Sequence, residues 1–95
     1  MSKVDDGFFN RADEHIHLSN EQMSKVSMGK VSSSMMYSVA RFNAYVCACG
    51  SNSMEEMKKA RQETIAYFVT EYEKMLKENL DDYINHFDRY KNSNG

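Results

Sequence analysis

Proline and tryptophan are absent from this 95-residue sequence, and only four glycines and two cysteines occur in it. An all-β sandwich or barrel needs many short strands joined by glycine- and proline-rich turns, so the scarcity of these residues argues against that class. The glycines are too widely spaced for the phosphate-binding turn of a dinucleotide-binding fold. Because a chain of 11.0 kDa is too short for two domains, we predict one small all-α domain over residues 1–95.

The sequence also has no basic block and no long apolar run. It carries 12 basic and 14 acidic residues, which disfavours nonspecific binding to nucleic-acid phosphates. No stretch of 18 apolar residues is present, and the polar N-terminus lacks the apolar centre of a signal peptide. We therefore expect a cytoplasmic protein that binds neither nucleic acid nor a membrane.

The two cysteines, Cys47 and Cys49, are separated by a single alanine. Residues two apart on a helix point about 200° away from each other, so these thiols can neither form a disulfide nor share a metal unless the turn unwinds. We interpret them as one small core residue and one peripheral thiol in a reducing compartment. A redox or metal role is the alternative.

Hydrophobic spacing predicts the first two helices. Phe9, Ile16 and Met23 recur every seven residues and predict a helix over 6–26. The next stretch contains four serines and a glycine, and it is interpreted as a loop that ends in a serine cap near residue 34.

In that loop, Gly29 is expected to adopt a left-handed conformation. A second helix is then predicted over 34–49, and because it is apolar over most of its circumference, we place it at the centre of a bundle.

A longer helix is predicted over 53–91. Ser53 and Glu56 have the spacing of a capping box, which marks the beginning of this helix. An unbroken helix of this length would extend about 58 Å, more than the usual diameter of a domain of this size, so we expect a bend near 78–79. Residues 92–95 are predicted to form a frayed tail.

These helices predict an antiparallel, up-down-up bundle of three, or of four if the long helix bends. The C-terminal half of the long helix has no partner of equal length within the chain, so we expect a two-fold homodimer to cover its apolar side chains. Phe42, Phe68, Leu76 and Leu80 are the predicted anchors. The residues predicted to lie in the core or the interface are Phe9, Ile16, Met35, Val39, Phe42, Val46, Phe68, Tyr72, Leu76, Leu80, Tyr83 and Phe87.

Histidines paired with carboxylates are the candidate metal ligands. Glu14 and His17 have the spacing of one half of a di-iron site, but the second such motif is missing. Asp82 and His86 are the nearest substitute. Both pairs lie beside the apolar stripes, which favours exposed histidines over a metal site. No residue pattern indicates a catalytic triad or a desolvated carboxylate pair, so no catalytic residue and no cofactor is predicted.

Five sequence strings together resemble a known family. They are FFNRAD at 8–13, SNEQ at 19–22, GKVS at 29–32, MYSVARFNA at 36–44 and ENLDDY at 78–83. The sequence is similar over residues 8–91 to a small proteobacterial family catalogued only as a domain of unknown function. This resemblance implies a stand-alone cytoplasmic bacterial protein and transfers no catalytic residue, cofactor or partner.

The sequence therefore predicts a small interaction or structural protein that self-associates through apolar helix stripes and has no catalytic activity. The alternative is a metal-binding helical protein or metal-dependent enzyme that uses Glu14, His17, Asp82 and His86. A heterologous partner and a biological process are not specified by the sequence.

Overall fold

Residues 4–93 are described by the computed structural model, with side chains as far as residue 91. Every regular element in this range is an α-helix, and no β-strand occurs there, so the all-α prediction is confirmed. Within 4–93, no helix is both long and apolar enough to cross a membrane. The helices are α1 (Phe8–Gln22), α2 (Met28–Cys49), α3 (Met54–Lys59), α4 (Arg61–Asn85) and α5 (Phe87–Ser93).

Helix α1 ends before the predicted limit of residue 26. The chain leaves the helix after Gln22 and forms turns, in which the Ser24 hydroxyl donates to the carbonyl of Glu21 at 2.7 Å. A short polar side chain that bonds to a nearby carbonyl competes with the helical ladder, which explains the early end.

Helix α2 begins at Met28, so the predicted loop over 27–34 is wrong. The hydroxyl of Ser27 caps the helix by accepting the N–H of Lys30 at 3.4 Å. Gly29 lies in the first turn and does not have positive φ, which corrects the expected left-handed conformation.

The serines of the supposed loop are satisfied inside α2. The hydroxyls of Ser33 and Ser34 donate to carbonyls one turn earlier, those of Gly29 and Lys30, at 3.0 and 2.9 Å. Because a serine can bond to its own helix in this way, a serine cluster need not end one.

The capping box that begins the third predicted segment is confirmed. The Ser53 hydroxyl accepts the N–H of Glu56 at 3.1 Å, and the Glu56 carboxylate accepts the N–H of Asn52 at 2.7 Å. These two bonds satisfy N–H groups at the start of α3 that have no partner within the helix.

The continuous helix predicted over 53–91 is wrong, because it is broken at Ala60 and at His86. At the expected bend near 78–79, α4 is uninterrupted, and the Asn79 side chain donates to the Met75 carbonyl at 2.8 Å instead of capping a new helix. His86 has φ −124° and ψ 31°, outside the helical region, and α5 begins directly after it. Of the predicted tail, residues 92–93 belong to α5, whereas 94–95 lie outside the described residues.

The described chain divides into two units, residues 4–57 and residues 58–93. In the first unit α1 packs on α2, where the Ser19 hydroxyl lies 3.7 Å from the Met35 sulfur and Val31 is only 4% exposed. In the second unit α4 meets α5, and the Tyr83 and Tyr90 rings lie 4.1 Å apart. The single domain, the antiparallel bundle and dimerisation stay predictions.

Candidate functional site

An apolar face on α4 is the candidate site. Its residues are separated by steps of three or four, which places them on one side of the helix over about 27 Å. Each side chain is exposed, from 42% for Leu76 to 61% for Val69. The face, called the α4 face below, consists of Ile65, Val69, Tyr72, Leu76, Leu80 and Tyr83.

The α4 face differs from the side of the same helix that is better covered. Thr64, Phe68 and Glu71 are half-buried, and they lie about 100° around the helix axis from the α4 face. Phe68 therefore belongs to this second strip, whereas the sequence analysis grouped it with Leu76 and Leu80 as an anchor of one predicted core or interface. The α4 face is open to solvent although it contains no charged side chain.

The open area is large for a helix of this length. If a fully exposed large side chain presents about 200 Å², the half-exposed side chains of the α4 face present roughly 600 Å². A contiguous apolar patch on a monomeric protein rarely exceeds about 300–600 Å², and larger ones mark interaction sites. The α4 face is thus at the upper limit of what a free monomer exposes.

Most of the side chains predicted to lie in the core or the interface are exposed to solvent. Only Met35 and Phe68 are half-buried, and within residues 4–91 the only buried side chain is Val31, which the sequence analysis did not select. The exposed members are Phe9, Ile16, Val39, Phe42, Val46, Tyr72, Leu76, Leu80, Tyr83 and Phe87.

A hydrogen-bonded cluster joins α4 to α5 beside the α4 face. The Tyr90 hydroxyl donates to one carboxylate oxygen of Asp82 at 2.6 Å, and Nδ1 of His86 lies 3.1 Å from the other. The bond from Tyr90, followed by that from His86, lowers the pKa of Asp82. The same bond to Asp82 raises the pKa of Tyr90, because it favours the protonated phenol beside a carboxylate.

Sequence analysis missed Tyr90 in this cluster. Residues eight apart lie about 12 Å apart along a continuous helix, too far for a predictable pair. Tyr90 reaches Asp82 across the break in the helix at His86. No local sequence motif predicts that break. The Arg89 guanidinium lies 5.7 Å from the centre of the Tyr90 ring.

Three of the four candidate metal ligands, His17, Asp82 and His86, have hydrogen-bond or ion-pair contacts outside a metal site. His17 approaches Glu21, with Nε2 3.5 Å from the carboxylate, rather than forming a site with Glu14. One carboxylate oxygen of Asp82 accepts a hydrogen bond from the Tyr90 hydroxyl, and the other faces Nδ1 of His86. Among the residues the structure describes, no three histidine, cysteine or acidic side chains are grouped so that they could hold a metal ion.

A second polar cluster precedes α1. The Asp5 carboxylate accepts two bonds from the Arg11 guanidinium, at 2.8 and 3.0 Å, and the N–H of Gly7 at 3.0 Å. These bonds, that of Arg11 foremost, lower the pKa of Asp5 from 3.8 to about 2. The cluster is exposed and fixes the beginning of α1 rather than forming a pocket.

Comparison with known proteins gives a family but no activity. Residues 8–84 match the model of a family described as "Protein of unknown function (DUF3144)". The NMR structure of the protein NB7890A from Shewanella sp. is 35% identical in sequence, with a TM-score of 0.76 over 97% of this chain and 98% of that one. No match was found among curated proteins. The resemblance to a family of unknown function is confirmed, and the chain belongs to the DUF3144 family.

Proposed function

We propose that this protein is a small interaction protein that self-associates, with the α4 face of one copy covering the α4 face of a second copy. The observation that supports this most strongly is the uninterrupted row of exposed apolar side chains on α4. Removing apolar surface from water is the main favourable term in protein association. An apolar row without a charged residue is also typical of the centre of an interface.

The size of the α4 face fits a second copy. A standard interface buries about 800 Å² on each partner, of which a central part is apolar and the rim is polar. The roughly 600 Å² of the α4 face, estimated from side-chain areas, supplies that centre. Glu73 and Lys77 flank it and supply a polar rim.

The two cysteines support a reducing compartment and thus the cytoplasmic location that we propose. Cys47 is half-buried, Cys49 is exposed, and both thiols are free. An exposed thiol close to a second one persists in its reduced form where cellular reductants maintain it.

A charge on the α4 face tests the proposal. In the single chain Leu76 is exposed, so Leu76→Glu leaves the helix content unchanged, but in the interface it buries an unpaired carboxylate, which costs several kcal/mol. We expect Leu76→Glu to convert a dimer into a monomer, as measured by light scattering coupled to size exclusion. Thr70→Glu adds the same charge elsewhere on α4 and is expected to remain dimeric.

The far-ultraviolet circular dichroism of both variants shows whether they are folded. If Leu76→Glu loses helix, Leu80→Glu provides the same test at the next residue of the α4 face. A folded Leu76→Glu protein that keeps the mass of the parent dimer would place the interface elsewhere and would contradict the proposal.

The metal-binding alternative has less support. Asp82 is already hydrogen-bonded by Tyr90 and faces Nδ1 of His86, so a metal ion at that pair would compete with these contacts for the carboxylate. One imidazole and one carboxylate are a weak site, because biological metal sites combine three or four ligands with fixed geometry.

A further inference from the structure

We infer that the two α4 helices pair through their α4 faces in antiparallel orientation, with a two-fold axis at the level of residues 74–75. This inference rests on the proposed self-association through the α4 face and adds the orientation and register of the partner. Three independent features of α4 support it: the symmetry of the apolar spacing, the sizes of the side chains, and the charges along one edge.

The spacing of the α4 face is nearly symmetric about its centre. If α4 is turned end for end about residues 74–75, Tyr72 is opposite Leu76, Val69 is opposite Leu80, and Ile65 is opposite Tyr83. Every apolar residue of the face therefore meets an apolar residue of the partner. A shift of two residues in either direction would place polar positions opposite the apolar ones.

Side-chain size favours the same orientation. The antiparallel pairing places the smaller Val69 and Ile65 opposite the larger Leu80 and Tyr83, which fills the space between the helices evenly. A parallel pairing in register would place Tyr72 against Tyr72 and Val69 against Val69. That arrangement alternates overpacked and underpacked layers, and both cost stability.

Charge gives a third argument. Glu73 and Lys77 lie along one edge of the α4 face, where they form an exposed ion pair at 3.2 Å within the chain. In antiparallel pairing about residue 74–75, Glu73 of one copy comes beside Lys77 of the other, so each charge gains an opposite charge. The helix dipoles also oppose each other in this orientation, which is the favourable arrangement.

The repeat length predicts how the two helices cross. Ile65 and Leu76, Val69 and Leu80, and Tyr72 and Tyr83 are each 11 residues apart. Eleven residues in three turns is about 3.67 residues per turn, slightly more than the 3.6 of a straight helix. The α4 face therefore stays aligned with its partner along the whole length, with a slight right-handed crossing.

Spin-label distances between the two copies test the orientation. The background protein carries Cys47→Ser and Cys49→Ser, so that Arg61→Cys and Lys74→Cys can be labelled in two separate samples. In antiparallel pairing, labels at position 61 are displaced along the axis by about 39 Å, from 26 residues at 1.5 Å each. Lys74 is level with the two-fold axis but on the side of α4 away from the α4 face. Labels at position 74 therefore have almost no displacement along the axis and are separated by the 8–10 Å between packed helices plus two outward-pointing side chains with their labels.

The expected result is about 40 Å at position 61 and a clearly shorter distance at position 74, where only the lateral separation contributes. Parallel pairing would instead bring the labels at position 61 together, because residue 61 lies at the edge of the α4 face, four residues before Ile65. A distance at position 61 shorter than that at position 74, in a protein of dimeric mass, would therefore overturn this inference while leaving self-association intact. A monomeric mass for the unlabelled background protein would overturn the proposed function as well. In a dimer, a distance at position 74 as long as that at position 61 would place the two-fold axis away from residues 74–75 and overturn the inference.

Discussion

The three hydrogen bonds at Asp5 make one carboxylate unusually acidic for an exposed position. Its pKa of about 2 follows first from the Arg11 guanidinium and then from the N–H of Gly7. Since the pKa is lower in the folded chain than its ordinary 3.8, the contribution of this cluster is present above pH 3.8 and is lost as the pH falls through about 2.

We predict that the Asp5 side-chain carbon signal, followed by NMR during an acid titration, has its midpoint near 2. Arg11→Gln removes the charge but keeps a polar side chain of similar length. The midpoint of Asp5 in that variant is expected to rise toward 3.8, because the first cause of the shift is gone. An Asp5 midpoint that is the same in both proteins would contradict the assigned cause.

Single residues also show where sequence reasoning stops. The Asp82 cluster includes Tyr90, which reaches Asp82 only because the helix is interrupted at His86. The pairing of Asp82 with His86 follows a spacing of four residues and was visible in the sequence. The contact with Tyr90 depends on a break in the helix backbone that no proline or glycine marks. This contact was therefore not visible in the sequence.

At the scale of the helices, α2 gives the clearest test of a corrected prediction. Gly29 lies in the first turn of α2, and a methyl group added there would meet no atom within 4 Å. We predict that Gly29→Ala stabilises the protein by about 0.5–1 kcal/mol, because alanine has the better helix propensity and restricts the unfolded chain.

The measurement is the urea midpoint of Gly29→Ala compared with the parent protein. Gly50→Ala is the matched control, because a methyl group there would lie 3.6 Å from the Val46 carbonyl at the helix end, where the helix-interior gain is smaller. If Gly29 had the left-handed conformation that the sequence suggested, Gly29→Ala would instead destabilise the protein.

The helices also show which local signals can be trusted. The capping box at Ser53 and Glu56 was predictable, because it depends only on neighbouring residues. The serines near residue 34 were misread, since serine hydroxyls can bond either as caps or back to their own helix. Spacing of residues does not separate these two uses, so the start of α2 was placed six residues too late.

At the scale of the whole molecule, the sequence predicted which apolar residues align but not which are covered. Periodicity marks an apolar stripe whether it packs inside the chain, against a second copy or against nothing. Phe68 and Leu76 were predicted as equivalent anchors, yet Phe68 is half-buried and Leu76 is exposed. Only coordinates divide the helix into its covered strip and the α4 face.

The absolute molar mass of the unmodified protein tests the central claim most directly. Size exclusion with light scattering over a concentration range gives this mass without assuming a shape. We predict a mass of twice 11.0 kDa that falls toward 11.0 kDa only at high dilution. A mass of 11.0 kDa at every concentration would contradict self-association through the α4 face.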